Sequence, residues 1–319
     1  MKILIADDLS ENSIALLKDV KFEVFKTTVA QNQLENFINS NRIDVLIVNS
    51  ATKVTRELVD ACPTLKLIGR AGVNMDNIAV SHAINKGLKI INTPLASANS
   101  VAELVFAHLF GMVRFLHQAN REMPLEGDTR FNDLRKQFST GTELKGKTLG
   151  IIGFGNIGKE VAKTAIGIGM KVITTSSSVK KETIDLTFYN GKSIAFEIET
   201  QSLEILLKES DFITIHTPYQ GAVIIGKQEI ELMKTGVGII NTSQGGTLDE
   251  IALINAIEAE KVKYAALDVY ETEPKPEIQL LMNPELSLTP HIGGKTRDAK
   301  HRAETELINQ LVYFRNNYN

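Results

Sequence analysis

A chain of 319 residues, 43% apolar and 23% charged, is long enough for two domains with separate cores. With 35 basic against 38 acidic residues and no long block of one sign, neither nucleic acid nor an anionic membrane is expected as a partner. The single cysteine, Cys62, excludes an internal disulfide and a multi-cysteine metal site; the first apolar run, Lys2 to Ala6, is too short for a signal peptide. The expectation is a soluble cytoplasmic protein without a bound metal.

The elements alternate strand and helix from the start. Lys2 to Ala6 reads as a strand running into Asp7-Asp8, followed by a helix from Glu11 with Ile14, Leu16 and Leu17 on its buried side. Phe22, Val24 and Phe25 mark a second strand, and Leu34, Phe37 and Ile38 stand at helical spacing. Val45 to Val48 is a continuous apolar run of the kind found in parallel strands covered on both faces. Strands over Leu65–Gly69 and Lys89–Asn92, with helices over Val54–Ala61 and Asn77–Asn85, complete a first α/β unit. A long helix capped by Ser100 is predicted from Val101 to about Gln118, carrying His108 and His117 as structural histidines. Pro124 to Gly141 reads as a polar, irregular excursion. A second α/β unit follows, with strands at Phe212–His216, Gly238–Thr242, Ala265–Val269 and Leu286–Thr289, and a terminal helix over Thr296–Phe314.

The second unit opens on Leu149 to Gly158, L-G-I-I-G-F-G-N-I-G. A short apolar strand enters Gly153, Gly155, Asn156, Ile157 and Gly158, then a helix, then another strand at Met170–Thr174. Glycines permit a tight turn and close backbone approach, and a helix N-terminus offers N–H groups to a pyrophosphate, so a dinucleotide is expected here. Ligands of such sheets lie beyond the carboxyl ends of the strands, which singles out Arg70, Ser176, His216, Gln244, Glu273 and His291. A nicotinamide carries the hydride and the protein supplies acid–base chemistry. His291, between Pro290 and the glycines Gly293 and Gly294, suits proton transfer near neutral pH, and Glu271 or Glu273 would favour its charged form.

Further strings now bear on the reading: Gly69-Arg70-Ala71-Gly72, Asp76-Asn77, Ser100-Val101-Ala102-Glu103, Gly146 to Gly150, Asn241-Thr242-Ser243, Leu267-Asp268-Val269-Tyr270 and Thr289-Pro290-His291. Together they resemble the D-isomer-specific 2-hydroxyacid dehydrogenases, and within them the phosphoglycerate dehydrogenase branch of serine biosynthesis in a short form lacking a regulatory domain. The resemblance implies an α/β protein of two doubly wound parallel-sheet domains. A Rossmann domain over residues 95–290 would be inserted in a flavodoxin-like substrate domain of residues 1–94 and 291–319. It implies a homodimer, a small 2-oxo or 2-hydroxy acid as substrate, and NAD as cofactor, with NADP not excluded. His291 would be the general acid, held by Glu273, with Gln244 at the position of a substrate-gripping arginine. Arg70, Ala71, Gly72, Asn74 and Asn49 would line the substrate pocket, and Arg135 would reach across the dimer interface. Cofactor contacts would come from the glycine turn, Ser176, His216, Thr217, Pro218, Thr242, Ser243, Asp268, Gly293 and Gly294, with Asp268 on the carboxamide side of the nicotinamide.

Four positions depart from the pattern. Gln244 replaces the arginine of N-x-(A/S)-R-G, retaining hydrogen bonding without charge. Asn49 stands where close phosphoglycerate dehydrogenases carry a phosphate-binding arginine, and Asn74 replaces a glycine. Ser176 takes the place of the acidic residue that binds the ribose hydroxyls; Ser177, Ser178, Lys180 and Lys181 would then accept a 2′-phosphate, or else form a solvated polar turn. Two functions follow: a dehydrogenase with an altered substrate pocket, or a catalytically weakened NAD(H)-binding relative serving as a sensor or interaction protein; a formate- or phosphite-type dehydrogenase is a third option that no feature selects.

Overall fold

The computed structural model describes residues 1–318. The chain divides into two compact units: residues 1–97 together with the segment from Lys295 onward, and Ala98–Gly294.

The first unit holds five parallel strands, β1 (Lys2–Ile5), β2 (Glu23–Lys26), β3 (Val45–Val48), β4 (Leu67–Arg70) and β5 (Lys89–Ile91), in the order β2-β1-β3-β4-β5. This is the flavodoxin-like order, reversing between β1 and β3. All four residues of β3 are buried, because alternate side chains enter two separate cores. Leu46 and Val48 join Leu34, Ile38, Leu58 and Val59 on one face. Val45 and Ile47 join Ile14, Leu17, Leu307, Ile308 and Leu311 on the other. The last three belong to the terminal helix Arg297–Asn317, capped by the Thr296 hydroxyl. Its Glu304 is buried against the N-terminus of the helix Glu11–Asp19, where it accepts hydrogen bonds from the Ser10 backbone N–H and from the Ser10 and Ser13 hydroxyls. A carboxylate there meets the positive end of the helix dipole.

The second unit contains β6 (Thr148–Ile152), β7 (Lys171–Thr175), β8 (Lys181–Thr187), β9 (Ser193–Glu199), β10 (Phe212–Ile215), β11 (Val237–Asn241), β12 (Val262–Leu267) and β13 (Leu286–Leu288). Six of these form a parallel sheet in the order β13-β12-β11-β10-β6-β7, so strand order reverses between β6 and β10. The helix Asn156–Gly167 packs Val161, Ala162 and Ala165 against Leu149 and Ile151 of β6.

Several sequence expectations need correction. Leu16 is half exposed, and the buried side of its helix is Ile14 and Leu17. The long helix begins earlier, at Ala98, placing Ser100 inside it. It stops at Val113, and a second helix, Leu116–Glu126, departs at 56° after Phe115 adopts a left-handed backbone. Residues 124–141, expected to be irregular, are largely helical: Pro124 lies within Leu116–Glu126, and Phe131–Gln137 forms another helix around buried Leu134. The antiparallel hairpin β8–β9 is an addition to the expected elements. Its alternation of Ile184 and Leu186 with Ile194, Phe196 and Ile198 around an Asn190-Gly191 turn is a hairpin signal. The unit boundaries fall a few residues beyond the expected 94 and 290. His291–Gly294 stay with the second unit because the Asp268 carboxylate accepts the N–H groups of Ile292 and Gly293, each at 2.8 Å. Ala96 stays with the first because its carbonyl accepts from Arg302 Nε at 3.0 Å. Among the described residues no single helix is long and apolar enough to cross a membrane.

Candidate active site

The glycine turn sits where the strand order of the second unit reverses. Gly153 has φ of +97°, and a Cβ there would lie 2.7 Å from the His216 carbonyl at the end of β10. A Cβ on Gly158 would stand 2.2 Å from the Gly153 carbonyl, so this glycine lets the helix start close behind the strand. Gly155 is different. It needs no positive φ, and an added Cβ would meet no protein atom within 4 Å. No side chain caps the N-terminus that Gly155, Asn156 and Ile157 begin, so its first N–H groups point outward unbonded by a cap.

The neighbouring strand ends carry polar atoms that the protein leaves unused. Thr217 Oγ1, Thr242 Oγ1 and His216 Nδ1 are buried without a hydrogen-bond partner among the described residues. His216 Nε2 lies 2.9 Å from Thr214 Oγ1, and desolvation pushes the ring down to about 3, so it is neutral across the physiological range. Unpaired buried polar atoms cost about 1–3 kcal/mol each, a cost that a polar ligand removes. Together with the open space at Gly155, these atoms fit a dinucleotide. Pro218 is exposed beside them. Ser176 follows β7, and its hydroxyl accepts the N–H groups of Ser178 (3.3 Å) and Val179 (3.1 Å), closing the polar turn. Lys181, considered as a phosphate partner, instead pairs with Glu197 (2.6 Å) and Glu199 (3.8 Å) across the hairpin.

The end of β12 brings together the candidate acid–base pair. His291 Nδ1 lies 2.8 Å from Glu273 Oε2 and 3.1 Å from Oε1, which resolves the choice between Glu271 and Glu273. With Nδ1–H donated to a carboxylate, Nε2 is the atom that can exchange a proton with a ligand. Glu273 Oε1 also accepts the Tyr270 N–H at 3.1 Å. His291 has φ of +53°, an uncommon conformation for a side chain, and its loop is fixed by Asp268. Asp268 is buried; besides the Ile292 and Gly293 amides it accepts the Thr289 hydroxyl at 2.6 Å. Three of the bonds its carboxylate accepts thus fix the loop carrying His291. Gly293 is needed there, since a Cβ would come within 2.9 Å of Asp268 Oδ2. Tyr270, which no pattern in the sequence marks as functional, also belongs to this site. Its hydroxyl donates to the Thr289 carbonyl at 2.9 Å, bracing the same loop from the other side.

Gln244 follows β11 in a turn closed by Asn241. Asn241 Oδ1 accepts from the Ser243 amide and hydroxyl, and its Nδ2 donates to Thr247 Oγ1. The side chain of Gln244 is itself engaged, with Oε1 accepting the Tyr219 N–H at 2.6 Å. Tyr219 was a further residue that the sequence did not flag.

In the first unit, Arg70 ends β4 and donates to Asn77 Oδ1 at 2.6 Å; burial lowers its guanidinium from the usual arginine value. Asn77 in turn donates to the carbonyls of Asn49 (2.7 Å) and Thr52 (2.5 Å). Asn49 is knitted into the point where strand order reverses: its N–H donates to Asp7, and its amide nitrogen to the Asp8 carbonyl at 2.7 Å. Arg70 and Asn49 are therefore joined through Asn77. Ala71 and Gly72 are partly buried in the following turn, while Asn74 is exposed. Arg135 is exposed on the helix Phe131–Gln137.

A parallel six-stranded sheet, a glycine turn at its reversal point and a paired histidine at the same edge define a dinucleotide-dependent oxidoreductase. Residues 106–293 match the family model for the NAD binding domain of D-isomer specific 2-hydroxyacid dehydrogenases. A hydroxypyruvate reductase of Thermotoga maritima is 40% identical over 316 residues, covering 97% of each chain. A D-3-phosphoglycerate dehydrogenase of Methanocaldococcus jannaschii is 39% identical over 315 residues; this chain spans 57% of that relative's length. The apo structure of a D-mandelate dehydrogenase from Rhodotorula graminis superposes with a TM-score of 0.84 at 24% identity, covering 98% of this chain and 94% of that one. The chain belongs to the D-isomer specific 2-hydroxyacid dehydrogenase family, and its second unit is an NAD-binding domain.

Proposed function

We propose that the protein transfers a hydride between NAD(H) and a small unphosphorylated 2-oxo or 2-hydroxy acid of the hydroxypyruvate type, with the first unit as substrate domain. The observation that carries the reading is the His291–Glu273 pair, set at the same carboxyl edge of the sheet as the glycine turn. The nicotinamide supplies the hydride when bound; Gly153, Gly155, Gly158, Thr217 and Thr242 are the residues to hold the cofactor. In reduction, His291 Nε2–H donates its proton to the carbonyl oxygen that becomes the alcohol, while Glu273 orients the ring through Nδ1. In oxidation the same nitrogen removes that proton.

The electrostatics around Asn49 support an unphosphorylated substrate. That corner carries Asp7 and Asp8, and the Lys300 ammonium is paired with Asp8. A phosphate dianion would meet carboxylates there, whereas a lone substrate carboxylate needs only the backbone after Arg70. The phosphoglycerate reading of serine biosynthesis rests instead on relatives of that name. NADH oxidation with hydroxypyruvate, glyoxylate and 3-phosphohydroxypyruvate decides between them. Hydroxypyruvate is expected to give the highest kcat/KM, and His291→Gln to lower kcat by about 10²–10⁴-fold. Preference for the phosphorylated acid overturns the substrate assignment.

A weakened, NAD(H)-binding protein is the second reading, favoured by the bond between Gln244 and the Tyr219 amide. In that case NADH binds while no oxo acid is turned over, and Gln244→Arg leaves activity at background. The exposed Phe110, Leu116, Met123, Leu125 and Phe131 on the helices of residues 98–137 support a homodimer. Sedimentation is expected to give a dimer that Leu116→Glu with Leu125→Glu converts to monomer.

A further inference from the structure

One buried carboxylate has no part in the scheme above. Glu250 opens the helix Glu250–Glu258, whose cap is Asp249, and only 5% of its surface is exposed. Its Oε1 accepts the backbone N–H of Glu271 at 2.8 Å, and the Glu271 carboxylate returns the bond by accepting the Glu250 N–H at 3.3 Å. Glu250 Oε2 is buried with no partner among the described residues. The turn gripped in this way runs from Tyr270 to Glu273. Its first residue donates its N–H to Glu273, and the Glu273 carboxylate holds His291. The opposite side of the turn is equally tight, since a Cβ on Gly245 would come within 1.9 Å of the Tyr270 carbonyl.

We propose that Glu250 is a positioning residue for His291, acting through the reciprocal Glu250–Glu271 bonds that fix the turn bearing Glu273. This rests on the assignment of His291 as the acid–base group. A pair of acidic side chains that bond each other's backbone is a costly way to close a turn. The two carboxylates repel, and burial together with Glu271, Glu277 and Asp249 raises the Glu250 carboxyl above the ordinary glutamate value. What the arrangement supplies is reach. The Glu250 side chain spans from the helix N-terminus to an amide two residues before Glu273, and a shorter acid at this position cannot do so. The required property is therefore a side chain of this length ending in an acceptor, and its charge is dispensable.

Two substitutions separate reach from charge in the full-length protein. Glu250→Gln keeps the length and the acceptor for the Glu271 N–H; Glu250→Asp keeps the carboxylate but withdraws it by one methylene. The readouts are kcat and KM with the preferred oxo acid, NADH affinity, and the hydrogen-bonded Nδ1–H resonance of His291 in ¹⁵N-edited NMR. Glu250→Gln is expected to match the parent in all four. Glu250→Asp is expected to lower kcat about tenfold, with KM and NADH affinity within about twofold, and to broaden or lose the His291 resonance. A normal resonance and kcat in Glu250→Asp, or an equal loss in both variants, overturns the proposal. The resonance needs no turnover: its selective loss in Glu250→Asp without any oxo-acid reduction would uphold the positioning role while removing the proposed reaction.

Discussion

Two strand ends of the same sheet are built on opposite principles. At the ends of β6, β10 and β11, buried polar atoms of His216, Thr217 and Thr242 have no partner among the described residues, and open space lies beside Gly155. At the end of β12, the side chains of Asp268, Tyr270, Glu273 and Thr289 bond one another, their backbone or the His291 loop. The first region is completed by its ligand, and the second is complete on its own. Residues at the first should therefore govern affinity, and those at the second should govern stability and turnover together.

The sharpest test is Gly245→Ala. Its Cβ would overlap the Tyr270 carbonyl, and neither backbone can yield cheaply, so a loss of about 1–3 kcal/mol or more in urea unfolding is expected, with turnover falling alongside. Asp268→Asn comes next. The amide would aim a donor at one of the three groups that now donate to the carboxylate, for an expected loss of about 1.5–3 kcal/mol in the same measurement. Gly155→Ala should leave unfolding within about 0.5 kcal/mol of the parent while weakening NADH about tenfold in a fluorescence titration. An equal stability loss in Gly155→Ala and Gly245→Ala would break the contrast between the two ends. Smallest of all, Lys181→Ala should change neither the thermal midpoint nor the ratio of NADH to NADPH affinity, because its ammonium is already paired with Glu197 and Glu199.

What the sequence revealed follows the same division. The glycine turn is legible because strand, glycines and helix are contiguous, and the pairing of His291 with one of two nearby glutamates needs only eighteen residues of separation. The bond from the Tyr219 amide to Gln244 joins loops after different strands, and the Glu250–Glu271 pair bonds side chain to backbone amide, which any residue supplies; neither leaves a local pattern. Likewise the break at Phe115 rests on a left-handed residue that no glycine announces. The hairpin β8–β9 did leave a pattern, alternation around Asn190-Gly191, obscured by the polar serines and lysines preceding it.

The burial of Glu304 and Leu307 beside β1 and the helix Glu11–Asp19 has a consequence for the order of assembly. Residues 98–294 are contiguous and contain everything their own core requires, so on a growing chain they can fold as soon as they emerge. The segment that precedes them cannot. Until residues 297–317 are made, the face of its sheet that they share with the helix Glu11–Asp19 stays only partly covered, and the earlier segment waits on the later one to become native.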